Sequence, residues 1–260
     1  MLFPIGDENR DRRTTPIVNY ALILINVLVF VFLQGLGSNE KFTYAFSTVP
    51  AEIISGRDIA TPDRVLVQPY TGQRVEIPGL QPTPIPVWLT LITSMFMHAG
   101  IAHIFGNMLF LWIFGDNIED RLGHLRYLIF YLVCGILAGL AHVFTTVIFA
   151  GSNEGSMLVP SLGASGAISG VLGGYILLFP TRRVSVIISW FITEVPAYIA
   201  VGLWFVLQLI SGLGMLGSGS KAGGVAYAAH IGGLIAGLIL VKPFTIGRPP
   251  AEATYNAPRY

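Results

Sequence analysis

The stretch LVPSLGASGAISGVLGGYILLF, residues 158–179, determines how the rest of the chain is interpreted. It contains no charged residue over 22 positions, and a membrane-crossing helix needs about 20 predominantly apolar residues. A hydroxyl side chain, Ser165, lies between Gly163 and Gly166. We interpret the stretch as a spanning helix that carries a candidate functional group.

Five further apolar runs follow the same pattern. The whole chain is 53% hydrophobic and 11% charged, with a mean hydropathy of +0.68, whereas soluble domains carry about 25% charged residues. We therefore predict an all-α polytopic membrane protein with a six-transmembrane-helix bundle. The predicted spans are Ile17–Leu33, His98–Phe114, Leu125–Ala150, Leu158–Phe179, Val195–Gly212 and Ala222–Val241.

The predicted domain organisation is a membrane domain over 17–242, with an N-terminal segment at 1–16 and a tail at 243–260. A long outer loop at 35–87 separates the first two spans, and its seven prolines favour short elements over long helices. The apolar run Val184–Thr193 is bounded by charged residues, and we expect it at the membrane interface. The Gly-rich loop Gly212–Ala222 follows the fifth span, above His230. We interpret it either as a lid, with Met215 and Leu216 as its apolar plug, or as a passive connector.

Lysine and arginine predict the orientation, because short cytoplasmic loops are enriched in them. With the N-terminus in the cytoplasm, ten cations lie inside and five outside. Both termini are therefore predicted to be cytoplasmic, and we expect the membrane to be a bacterial cell (inner) membrane. The inner cations are Arg10, Arg12, Arg13, Arg121, Arg126, Arg182, Arg183, Lys242, Arg248 and Arg259.

Four polar side chains are predicted to share one depth in the membrane. At 1.5 Å per residue, Ser165 lies about 10 Å and His230 about 12 Å from the outer end of its helix. His103 and Asn107 are four residues apart, so they share a face of the second helix, which also enters from outside. Polar groups in spanning helices are costly and usually functional, and three helices bring theirs to the outer half of the bilayer.

These four residue types suit acyl transfer. A serine hydroxyl needs a base before it becomes an effective nucleophile, and an imidazole can be that base near neutral pH. The resulting oxyanion needs hydrogen-bond donors, which Asn107, His103 and the backbone N–H of Ser165 can supply. We predict a Ser165–His230 dyad without an aspartate, because the helical core near His230 contains no acidic residue.

Three motifs, taken in order, resemble the rhomboid family of intramembrane proteases. They are His103-xxx-Asn107, Gly163-Ala-Ser165-Gly166 and Ala229-His230-xx-Gly233-xxx-Gly237. The resemblance covers roughly residues 88–241. It implies cleavage of transmembrane segments of other proteins, with Ser165 as nucleophile, His230 as general base, and His103 and Asn107 at the oxyanion. The expected partners are single-span membrane protein substrates and the lipid bilayer.

Two positions depart from the family pattern. Many members carry a Trp-Arg pair in the first loop, whereas Leu89 follows Trp88 here. Some members have a tyrosine one turn after the serine that stacks on the histidine, and this chain has Ser169 there. His230 must therefore be positioned by another group.

The same residues allow other interpretations. Ser165 alone is typical of a helix–helix contact, and we assign Gly233 and Gly237 to packing, and His98, His142 and Cys134 to structural roles. The alternative functions are a catalytically inactive rhomboid-like protein that binds or delivers membrane clients, and a transporter. No cofactor, metal or nucleic-acid partner is expected, since no His-Glu-x-x-His motif exists and the net charge is only +1.

Overall fold

A bundle of long apolar helices dominates the structure, a computed structural model that describes residues 2–67, 74–150, 154–188, 190–218 and 224–248. Four of the six predicted spans overlap helices of more than 20 residues. In the first span, the α-helix is followed by a π-helical turn, Val29–Leu33. The major helices are α1 (Ile17–Leu28), α5 (Ile101–Leu122), α6 (His124–Ala150), α7 (Ser165–Leu178), α8 (Ala197–Ser218) and α9 (Gly224–Phe244).

By length and composition, three helices in the described part of the chain are able to cross a membrane. They are Ile101–Leu122, His124–Phe149 and Tyr227–Phe244, and four shorter apolar helices accompany them. The protein is therefore mostly helical with several apolar helices, and the count of six spans stays a prediction.

The long segment after the first helix contains only short elements, as its prolines predict. Its short helices are α2 (Glu40–Ala45), α3 (Pro50–Ser55) and α4 (Thr90–Thr93), and its two strands, β2 (Arg64–Val67) and β3 (Arg74–Ile77), form an antiparallel hairpin. Pro50 begins α3, where its missing N–H costs nothing.

The all-α prediction is wrong in part, because the chain also contains strands. Besides the β2–β3 hairpin, a three-stranded sheet lies at one end of the bundle. Strands β1 (Leu2–Asp7), β4 (Arg183–Ile188) and β5 (Phe191–Pro196) form it in the order β1-β4-β5, all antiparallel. The predicted N-terminal segment 1–16 is thus partly an ordered strand, and the apolar run that precedes α8 is a β-hairpin.

Glycines bring α7 and α9 into backbone contact. A Cβ atom on Gly233 would lie 2.1 Å from the carbonyl oxygen of Gly166, and one on Gly237 would lie 1.9 Å from that of Gly170. This confirms the packing role predicted for Gly233 and Gly237. Cys134 is fully buried against Gly170, as predicted for a small apolar side chain.

Three helix boundaries differ most from the predicted ones. α5 continues eight residues past Phe114, because the start of α1 satisfies its polar end: Glu119 accepts from the backbone N–H groups of Val18 and Asn19 at 2.9 and 2.7 Å. α7 begins only at Ser165, since Gly163 has a φ of +121°. α8 runs to Ser218, so part of the predicted lid is helix. The side chains of Met215 and Leu216 lie outside the described residues, as do 219–223.

A polar cluster joins β1 to the same end of the bundle. Asp7 accepts a hydrogen bond from the Tyr175 hydroxyl of α7 at 2.5 Å and another from Asn117 of α5 at 2.8 Å. Arg182 bonds both Asn117 and Asp11. Burial raises the pKa of Asp7 to about 7, against the lowering effect of the Tyr175 bond.

Candidate active site

Ser165 and His230 are hydrogen-bonded to one another. Oγ of Ser165 lies 2.8 Å from Nε2 of His230, although 65 residues separate the two in sequence. Ser165 is the first residue of α7 and His230 lies in the first part of α9, so the close α7–α9 contact brings the two side chains together. This distance suits proton transfer from the hydroxyl to the imidazole.

The loop before α7 is fixed by backbone hydrogen bonds. Ser161 and Thr48 exchange N–H···O bonds of 2.8 and 2.9 Å, and the Gly163 N–H donates to the Ser94 carbonyl at 2.8 Å. These bonds fix the position of the loop that leads into Ser165, the first residue of α7. Because the first N–H groups of a helix have no intrahelical partner, the backbone N–H of Ser165 is a free donor at the positive end of the helix dipole.

Gly163 brings the α5 residues next to Ser165. A Cβ atom on Gly163 would lie 2.8 Å from both Cε1 and Nε2 of His103, and 3.7 Å from Nδ2 of Asn107. The loop that carries the serine therefore passes directly over the two predicted oxyanion donors. All four predicted site residues, Ser165, His230, His103 and Asn107, lie in one region of the bundle.

Hydrogen bonding indicates which nitrogen of the His103 ring carries the proton. Nδ1 of His103 accepts from the Ala99 N–H at 3.3 Å, so the proton of a neutral His103 is on Nε2, the nitrogen beside Gly163. Asn107 is buried, and its Nδ2 has no hydrogen-bond partner among the described residues. Two donors thus face the space next to the serine with no competing acceptor from the described chain.

Nδ1 of His230 also lacks a partner within the described part of the chain. No described carboxylate bonds to the ring, and the dyad without an aspartate stays a prediction. His230 is instead flanked by aromatic rings: Trp204 of α8 lies 5.9 Å away between ring centroids, and Tyr227 lies 6.4 Å away, edge-on.

Trp204 is the residue that the sequence analysis missed. Its ring lies beside the imidazole, whereas at position 169 the Ser169 hydroxyl donates to the carbonyl of Ser165 at 2.7 Å. Trp204 also contacts Phe110 of α5, with 5.9 Å between the ring centroids. An aromatic residue in the span next to a candidate base is the signal that could have identified it, but an apolar helix contains many such residues.

The other histidines play different parts. His98 is fully buried, and its backbone N–H and carbonyl are both bonded to the Gln34 side chain, at 2.9 Å each. Its ring packs edge-on against His103, so His98 supports a site residue. Among the described residues, no three His, Cys, Asp or Glu side chains gather as metal ligands. The prediction of a metal-free reaction stays a prediction.

Comparisons with known proteins agree on the region that carries these residues. A family model described as the Rhomboid domain matches residues 86–245. The chain is 32% identical over 167 residues to rhomboid protease GluP of Bacillus subtilis, covering 64% of this chain and 27% of that protein. It is 31% identical over 151 residues to the mitochondrial rhomboid protein 1 of Saccharomyces cerevisiae, covering 58% of this chain and 40% of that one. The chain therefore spans less than half the length of these two relatives.

Proposed function

We propose, because the chain belongs to the rhomboid family, that it is an intramembrane serine endopeptidase that cleaves transmembrane segments of single-span membrane proteins. The observation that carries the proposal is the 2.8 Å contact between Oγ of Ser165 and Nε2 of His230. A catalytically inactive relative that only binds or delivers clients would need neither group, let alone both in hydrogen-bond contact.

The mechanism follows from the four site residues. His230 takes the hydroxyl proton at Nε2 while Ser165 attacks the scissile carbonyl carbon, which gives a tetrahedral intermediate. The oxyanion accepts hydrogen bonds from Asn107 Nδ2, from His103 Nε2 and from the Ser165 backbone. The imidazolium then protonates the leaving amine, and a water molecule activated by the same histidine releases the acyl group. In this scheme His230 is the general base and then the general acid.

The proposed membrane arrangement keeps the sequence-based one. Six spans cross the bilayer, α1 with its π-turn and then α5 to α9, with both termini in the cytoplasm and the site in the outer half. The segment 35–87 then lies outside. The relatives include bacterial and mitochondrial proteins, so the bacterial cell membrane rests on the sequence interpretation alone.

The decisive experiment compares cleavage of a model single-span substrate by purified wild type, Ser165→Ala and His230→Ala. Each variant should lose activity completely, and the double variant should be no worse than either, because members of a catalytic unit are not additive. Ser169→Ala is the matched control: it removes a hydroxyl one turn along the same helix and should keep activity. Substantial cleavage by folded Ser165→Ala would reject the dyad.

A further inference from the structure

The β4–β5 hairpin connects α7 to α8 and is held to the bundle by its base. Val184 and Val186 of β4 are fully buried in the main core, which also contains Ala197 and Ala200 of α8. α8 begins directly after β5, at Ala197. The position of the hairpin is therefore coupled to the first turn of α8.

The hairpin tip, defined as Ile187, Ile188, Trp190, Phe191 and Ile192, is apolar, and all of these side chains except the half-buried Ile187 are exposed. Trp190 is 94% exposed, Phe191 77% and Ile192 70%. Its base is polar on the exposed side, with Arg183 and Glu194. A hairpin that ends in water carries polar or turn-forming residues at its tip, whereas Ser189 is the only polar residue between Val186 and Thr193 here.

Both faces of the tip are apolar. Ile188 pairs with Phe191 and Ile187 with Ile192, and because side chains alternate along a strand, the two pairs lie on opposite faces. A sheet with one solvated face alternates apolar and polar residues, and the tip does not. A protein partner docked on one face would leave the other face of this tip in water, whereas lipid surrounds a protruding tip on all sides.

The apolar surface continues from the tip into a helix that faces lipid. Tyr198, Ile199 and Leu203, in the first two turns of α8, are 52%, 39% and 42% exposed. At about 3.3 Å per residue, the tip lies only about 7 Å along the strand from the buried Val186. It therefore lies within headgroup distance of the spanning helices, and tryptophan is enriched in that zone of a bilayer.

We propose that the hairpin tip is a membrane-interface anchor, seated among the lipid headgroups and upper acyl chains of the bilayer that contains the helices. The lipid contact fixes the start of α8 from outside the bundle. It does not depend on the chemistry at Ser165.

Site-directed fluorescence tests the proposal on the full chain, reconstituted with one copy per lipid nanodisc. An environment-sensitive dye is attached at Phe191→Cys, at Ile192→Cys and, as the base control, at Glu194→Cys, all in a Cys134→Ala background. Labels at 191 and 192 report opposite faces of the tip. Nitroxide on lipid acyl chains near the headgroup should remove most of the emission at both tip positions and little at 194, and aqueous iodide should do the reverse.

Three outcomes would overturn the anchor. Iodide quenching at both tip positions would put the tip in water. Protection of the dye from iodide at only one of the two tip positions would indicate a protein contact on one face. Protection that appears only when two copies share a disc would indicate self-association.

Discussion

The helix pair α7–α9 and the neighbouring helix α8 differ in how closely they pack. Glycines of α7 and α9 touch the backbone of the facing helix, where a Cβ atom would lie about 2 Å from a carbonyl oxygen. In α8, a Cβ on Gly202 would meet nothing within 4 Å. The proposed nucleophile and base therefore lie on two helices whose separation is set by backbone contact, whereas α8, which places Trp204 beside His230, has open space at Gly202.

The largest effect should come from adding a methyl group at this contact. Gly237→Ala places Cβ 1.9 Å from the Gly170 carbonyl, so the two backbones must separate. Overpacking costs typically about 1–3 kcal/mol, and the separation also moves His230 from Ser165. Gly202→Ala in α8 is the matched control, and better helix propensity should stabilise it by up to about 1 kcal/mol.

Thermal unfolding in detergent measures the loss of stability in Gly237→Ala, and substrate cleavage measures the loss of activity that follows when His230 moves away from Ser165. Equal melting temperatures for the two alanine variants would remove the contrast between the helices.

A more selective loss, confined to the rate, is expected from Gly163→Ala. The new Cβ would lie 2.8 Å from the His103 ring, at a φ of +121° that alanine rarely adopts. Losing an oxyanion donor costs about 10²–10³ in rate in soluble enzymes, so kcat should fall strongly while the fold persists. Gly106→Ala, which meets nothing within 4 Å on the same helix as Asn107, should behave like wild type. An unchanged kcat with a raised KM would contradict the oxyanion role.

Trp204 should have an intermediate effect as a positioning residue for His230. Aromatic pairs contribute about 0.5–1.5 kcal/mol beyond burial, so Trp204→Ala should lower kcat by roughly 2- to 10-fold. Trp204→Phe should restore most of the rate, because a ring still flanks the imidazole. Leu203→Ala, an exposed neighbour in α8, controls for general loosening. If phenylalanine rescues nothing while both alanine variants behave alike, Trp204 acts only through packing.

The smallest effect concerns the N-terminal strand, which pairs with β4 beside α8. Docking of β1 buries Asp7, whose pKa rises from 3.8 to about 7; Asp116 raises it further, while Tyr175, Arg182 and Asn9 lower it. The docked state therefore takes up a proton between these values. Docking is strongest below about pH 4 and weakens as the pH rises to about 7.

Protease nicking at Arg10, Arg12 or Arg13 reports this docking. The ratio of the nicking rates of wild type and Asp7→Asn, taken at each pH to cancel the pH profile of the protease, should rise from pH 5 to pH 7. A constant ratio would mean that Asp7 does not titrate in this range.

The sequence predicts the helical bundle and the site residues better than the boundaries and strands. The sequence identifies four candidate site residues because polar side chains are rare in apolar helices and because their depth can be counted along each helix. They are Ser165, His230, His103 and Asn107. The end of α5 could not be predicted, because its carboxylates are satisfied by residues distant in sequence. Glu119, for example, accepts hydrogen bonds from the backbone N–H groups of Val18 and Asn19. Strand β1 is invisible locally, since its pairing partner lies about 180 residues away.

That separation has a consequence for how the chain is made. Leu2 pairs with Ile188, and Asp7 bonds Tyr175, so β1 has no partner in its sheet until α7 and β4 have been synthesised. At about 5–20 residues per second, this wait is on the order of 10–40 seconds. Meanwhile β1 stays unpaired on the cytoplasmic side of the proposed topology, with an open edge that chaperones or the insertion machinery can contact. Docking of β1 is therefore a late event, which follows synthesis of the helix that carries Ser165.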